Sequence, residues 1–175
     1  MKFITALVLA LCLLSTAAQA ETILFGLTLG KSTLEEVQKT YTLHGKSASA
    51  KWLDGWNYYR VTGNQFNVSQ LNEATLYFDG NQVLGVISFY FPPSLEQYIA
   101  LRAEMDKQYP RIKMAPFESE PLLRDKTEYQ NTTTKVRLDH SDYGTWLIFT
   151  DLKYFETVQK LKAQQALPPQ KEAQT

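Results

Sequence analysis

The sequence predicts an α+β fold: two tandem helix-plus-antiparallel-sheet units forming one continuous or paired sheet. Three observations carry this expectation. Two helix-capping signatures, Ser32-Thr33-Leu34-Glu35 and Ser94-Leu95-Glu96-Gln97, open 62 residues apart. Strands ending in aspartate, at Asp79 and Asp139, follow them at a matching spacing of 60 residues. Each is succeeded by a turn and a strongly apolar strand, Val83 to Phe89 in one half and Trp146 to Phe149 in the other. A capped helix followed by a run of period-two strands is the pattern of helices packed on an antiparallel sheet, not of alternating strand-helix units.

Residues 1–20 read as an address. Lys2 supplies a positive n-region, Phe3 to Leu14 is apolar-dominated, and Ala18-Gln19-Ala20 provides the small residues of a signal-peptidase site. The apolar run would reach roughly 18 Å as a helix, short of the ~30 Å hydrocarbon core, so no stable membrane span is expected. Leu11 stands before Cys12, where a lipoprotein signal needs a small residue, so lipidation is not expected either. The predicted mature chain begins at Glu21 in the periplasm and has no cysteine, so burial rather than disulfides must hold it together.

The first unit is assigned to 21–91. A short apolar segment from Ile23 to Leu29 leads to a helix near Thr33 to Thr40, with Leu34, Val37 and Tyr41 on one face. An aromatic strand spans Lys51 to Val61, with Trp56, Tyr58 and Arg60 of one parity and Asn57, Tyr59 and Val61 of the other. Ala74, Leu76 and Phe78 alternate with Thr75 and Tyr77, and Asp79-Gly80-Asn81 turns the chain into Val83 to Phe91. The second unit is assigned to 92–165. Pro92-Pro93 closes the preceding strand, and a helix follows with the stripe Leu95, Tyr98, Ile99, Arg102, Met105 and Tyr109, stopped by Pro110. Strands are expected at Thr127 to Gln130, Lys135 to Asp139 and Thr145 to Thr150, with a turn at His140 to Gly144. Asp151 can cap a last helix bearing Leu152, Phe155, Val158 and Leu161, and 166–175 reads as a disordered tail.

The stretch Phe25-Gly26-Leu27-Thr28-Leu29-Gly30-Lys31-Ser32-Thr33-Leu34-Glu35-Glu36-Val37 resembles the start of the small exported proteins of the SmpA/OmlA family. That family shares a helix-plus-antiparallel-sheet unit with the β-lactamase inhibitory protein, in which two such units are fused. The resemblance implies a concave sheet surface that binds other proteins, and it transfers no catalytic residue.

Charge and chemistry narrow the function. The 18 basic and 18 acidic residues balance, so no nucleic-acid partner is expected. With the signal peptide gone, His44 and His140 are the only imidazoles and no thiol remains, too few soft ligands for a zinc-type centre; no metal or cofactor is expected. Asp139, His140 and Asp142 fall together in an expected turn, and Glu118 with Glu120 in a loop; both sets read as solvated groups. No Gly-x-Ser-x-Gly elbow and no phosphate-binding loop occurs, so an enzyme is not expected.

The strongest surface in the sequence is Lys51-Trp52-Leu53-Asp54-Gly55-Trp56-Asn57-Tyr58-Tyr59-Arg60. Trp52, Trp56 and Tyr58 share a parity, and large flat side chains in a row anchor a protein partner or stack on sugar rings at low entropic cost. Trp52, Trp56, Tyr58, Tyr59 and Arg60 are therefore the expected partner-binding residues, with at least two of Trp52, Trp56 and Tyr58 exposed. The expected function is that of an exported protein-binding module, an accessory factor, chaperone or inhibitor acting on an envelope or secreted protein. An envelope-glycan or small-ligand binder is the alternative, with a hydrolase lacking a recognisable motif as a third reading.

Overall fold

A computed structural model describes residues 21–48, 56–112 and 125–166. The chain opens with a small hairpin, β1 (Ile23–Leu24) and β2 (Leu27–Thr28), followed by helix α1 (Leu34–Thr40). Strands β3 (His44–Ala48), β4 (Asn57–Thr62), β5 (Glu73–Phe78) and β6 (Leu84–Phe91) come next, with a 3-10 turn at Gly63–Phe66. Helix α2 (Leu95–Gln108) leads to β7 (Asp125–Gln130), β8 (Thr134–Ser141), β9 (Gly144–Asp151) and helix α3 (Leu152–Ala166). The seven larger strands form one antiparallel sheet in the order β3-β4-β5-β6-β9-β8-β7. Each half thus contributes a capped helix and an antiparallel meander, and the last strands of the two meanders pair along a seam. Phe89 stands opposite Leu147 there, and Tyr90 opposite Trp146. Among the described residues no helix is long and apolar enough to cross a membrane.

Alternation assigns one parity of each strand to the core. Cross-strand neighbours Tyr59, Leu76, Ile87, Phe149, Val136 and Tyr129 form one buried row. Val61, Ala74, Phe89, Leu147, Leu138 and Thr127 form the next. Val37 and Tyr41 from the first helical segment and Tyr98, Leu101 and Met105 from α2 join the same cluster, so both helices cover this face. Each fully buried side chain of this size stabilises the fold by about 1.5–3 kcal/mol. The small hairpin adds Leu24 and Leu27 to the cluster, and the Tyr41 hydroxyl donates to the Phe25 carbonyl at 2.8 Å.

Three local expectations are corrected. The first helix is capped by Thr33, one residue later than expected: its Oγ1 accepts from the Glu36 amide at 3.3 Å, while Glu36 Oε2 accepts from the Thr33 amide at 2.9 Å. Ser32 is occupied elsewhere. Its carbonyl accepts from the Leu84 amide at 2.8 Å and its hydroxyl from the Thr28 amide at 2.9 Å, which holds it in the loop. In α2 the buried side chains are Gln97, Tyr98, Leu101, Glu104 and Met105, while Leu95 and Ile99 are exposed. The buried stripe is thus centred on Tyr98, Leu101 and Met105, with Tyr98 stacked on His140, and buried Glu104 accepts from Gln108 Nε2 at 2.8 Å. Finally, β8 runs on through Ser141, so the hairpin loop is only Asp142 and Tyr143, and Asp139 lies inside the strand. Of the two aspartates only Asp79 stands at a strand end, directly after Phe78; its Oδ1 accepts from the Asn81 and Val83 amides at 2.9 and 2.8 Å.

Candidate functional site: the second face of the sheet

The residues of opposite parity make the second face, which forms three cross-strand rows. The first runs Tyr58, Tyr77, Val86, Thr150, Lys135 and Gln130. The second runs Arg60, Thr75, Ser88, Ile148, Arg137 and Glu128; the third, Thr62, Glu73, Tyr90, Trp146, Asp139 and Lys126. Helices α1 and α2 lie on the other side of the sheet, and α3 touches this face at its margin. Tyr154 there packs on Trp56 with ring centroids 4.9 Å apart, and Lys135 Nζ sits 5.1 Å from the centre of the Phe155 ring.

Aromatic side chains dominate the β4-β5-β6-β9 part. Tyr58 and Tyr77 pair with centroids 5.4 Å apart, and Tyr90 and Trp146 pair at 5.2 Å. Both are cross-strand neighbours, the arrangement in which aromatic pairs stabilise a sheet and hold each other's rotamers. The Tyr90 hydroxyl donates to the Tyr143 carbonyl at 3.0 Å, fixing that ring further. Val86, Ser88 and Ile148 lie between the pairs, and all of these side chains are partly buried. Burial, with the neighbouring Tyr58, pushes the Tyr77 hydroxyl above its ordinary pKa.

The β8-β7 part is charged and internally matched. Glu128 meets Lys135 at 2.8 Å and Lys126 at 3.4 Å, and Arg137 Nε meets Asp139 Oδ2 at 2.8 Å. Burial pushes the Glu128 carboxyl up, but Lys135 and Lys126 outweigh it and hold the group below the usual carboxylate range. At the opposite margin Arg60 lies 3.8 Å from Glu73. The face therefore has an aromatic centre flanked by paired charges.

The expected site residues distribute unevenly. Tyr58 and Arg60 belong to this face, the tyrosine partly buried and the arginine exposed. Tyr59 does not. It is 8% exposed and packs edge-to-face on Phe78 at 5.8 Å, because its parity faces the helices. Trp56 is also 8% exposed and Tyr58 is half-buried, so of the expected exposure of at least two of Trp52, Trp56 and Tyr58 neither described member is exposed: Tyr154 of α3 covers the ring of Trp56, whose parity alone would leave it open. Trp52 lies outside the described residues, as do Glu118 and Glu120. Asp139, His140 and Asp142 do not converge. Asp139 is on the second face, whereas His140 is in the helical layer, stacked on Tyr98 at 4.7 Å with Nδ1 2.9 Å from Thr145 Oγ1. Among the described residues no three His, Cys, Asp or Glu side chains stand together as a metal ion would require.

Tyr77, Tyr90, Trp146, Val86 and Ile148 were not singled out in the sequence, although each is out of phase with the apolar residues that fill the core rows. That parity, followed across β5, β6 and β9, was the available signal. Comparison with protein-family models, with curated proteins and with solved structures finds no match to this chain.

Proposed function

We propose that this chain is an exported protein-binding module and that its contact surface is the second face of the sheet, centred on the Tyr58/Tyr77 and Tyr90/Trp146 pairs. One observation carries the reading: partly buried, polar-tipped aromatics are paired across strands on the face opposite α1 and α2. Rings held by their neighbours lose little further freedom when a partner docks, which is why tyrosine and tryptophan anchor interfaces. The resemblance of Phe25 to Val37 to SmpA/OmlA proteins supports the same class of function. Export rests on the signal-peptide pattern of residues 1–20 and belongs to the proposal.

The test is affinity capture of envelope proteins on the chain from Glu21, beside Tyr90→Ala and Trp146→Ala. The expected result is one stoichiometric partner that binds at least tenfold more weakly to either variant, while both melt as cooperatively as wild type. A partner indifferent to both substitutions would remove this face from the reading. Saturable binding of envelope glycan, with no protein recovered, would replace the protein partner by a sugar.

A further inference from the structure

The second face borders a cleft of about 200 Å³ where the Gly30 loop, the β5–β6 hairpin and the start of α3 meet. Its lining includes the rings of Trp56 and Tyr154, the carboxylate residues Asp79 and Asp151, and Lys153. The two rings are tilted by 51° with centroids 4.9 Å apart, forming a wedge rather than a flat stack. Two glycines permit this arrangement. A Cβ at Gly85 would fall 1.7 Å from Tyr154 Cδ2, and one at Gly30, whose φ is +74°, would fall 2.7 Å from Asp151 Oδ2. The ring and the carboxylate therefore lie directly on backbone.

Both carboxylates are oriented by main-chain amides. Asp79 Oδ1 accepts from Asn81 and Val83, and Asp151 Oδ1 accepts from Tyr154 at 2.9 Å as the cap of α3. The Oδ2 of each takes no part in these bonds. Two carboxylates are thus fixed at a cavity whose lining also includes the rings of Trp56 and Tyr154. The combination suits a cation: aromatic faces attract one electrostatically, and oriented carboxylates form the stronger, charge-assisted hydrogen bonds. The Tyr154 hydroxyl registers the same environment. Burial first, then Tyr77 and Asp79, push it well above the ordinary tyrosine range. The volume equals that of about six or seven waters at ~30 Å³ each, room for one charged head group and little more.

We propose that this cleft seats a single cationic side chain, an arginine or lysine, of the protein partner that docks on the second face. The proposal rests on that docking reading and adds the chemistry of the residue recognised. The probe is N-acetyl-arginine amide, with N-acetyl-citrulline amide as its uncharged counterpart, titrated into the chain from Glu21 and followed by amide NMR shifts.

Saturable shifts confined to Gly85 and to the first turns of α3, given by the arginine and not the citrulline compound, are expected. Asp79→Asn with Asp151→Asn keeps oxygens able to accept the same amides, so the double variant should melt near wild type and bind the probe at least tenfold more weakly. Lys153→Ala removes a like charge from the rim and should tighten binding several-fold; a surface change, it also serves if the double variant fails to fold. No saturable shift at high millimolar probe, an equal response to citrulline, or indifference to these substitutions would overturn the cleft. Trp146→Ala should leave the probe titration unchanged, which separates the two readings. Probe binding with a partner indifferent to Trp146→Ala removes the docking face alone, and a partner that needs Trp146 with no probe binding removes the cleft alone.

Discussion

Replacing Trp56 by alanine tests whether this ring is part of the core or part of a contact surface. Trp56 is 8% exposed and its packing partner is Tyr154, so truncation removes an indole from a nearly dry site and leaves Tyr154 and the start of α3 without their neighbour. A tryptophan side chain buries roughly 150–250 Å², which at about 25 cal/mol per Å², reduced by roughly 10–40% for residual compactness of the unfolded chain, gives roughly 2–6 kcal/mol. That range brackets the ~3–5 kcal/mol seen for tryptophan truncation in cores. For a domain of this size each kcal/mol lowers the melting temperature by roughly 2–4 °C, so a loss of ~3–5 kcal/mol should make the variant melt roughly 6–20 °C below wild type. Trp56→Phe, which keeps a ring against Tyr154, should recover more than half of the loss. Differential scanning calorimetry of the three proteins reads this directly, and a Trp56→Ala melt within about 2 °C of wild type would refute the buried assignment.

Two further predictions follow from ionisation. Because Lys135 and Lys126 outweigh burial and hold the Glu128 carboxyl low, its contribution to stability is fully present above the ordinary glutamate value near 4.3 and is lost as pH falls through the lower folded value. The urea midpoint of Glu128→Gln should therefore lie below wild type at neutral pH and converge with it in acid; a gap independent of pH would contradict the assignment. Burial raises the hydroxyls of Tyr41, Tyr77, Tyr98, Tyr109, Tyr129 and Tyr154, six of the ten tyrosines. Their neutral forms stabilise the fold at and below the ordinary value near 10, an advantage lost as pH rises through the raised values. Tyrosinate absorbance should lag for this group and arrive with unfolding, whereas ten tyrosines ionising reversibly in one step while the far-UV spectrum stays native would show the burial to be wrong.

The elements themselves were legible because their signals are local. Helix α1 ends at Thr40 as its pattern indicates, Ser94 accepts from the Gln97 amide at the head of α2, and Asp151 caps α3. The alternation of Ala74, Leu76 and Phe78 reads correctly as the core parity of β5. The cap of α1 shifted by one residue because the Ser32 carbonyl pairs with Leu84, far along the chain, and its hydroxyl with Thr28. Leu95 and Ile99 are exposed because the side of α2 that meets the sheet is the one bearing Tyr98, Leu101 and Met105, a choice the helix pattern does not contain.

The sequence by itself determined the α+β class, the three helices and the parities of β4 and β5, since caps, turns and period-two alternation act over a few residues, while β3 (His44–Ala48) was not expected. Tertiary structure decided that the halves join through β6 and β9, which brings Tyr90 beside Trp146 from residues 56 positions apart. It also decided what each parity meets. In β4 Tyr59 turns to the helices and Tyr58 and Arg60 turn away, while Trp56, just before the strand and of their parity, is nonetheless enclosed because α3 brings Tyr154 onto it. The reason is that burial is a property of pairs: alternation says which side chains share a face, and only the packed neighbour says whether that face meets water.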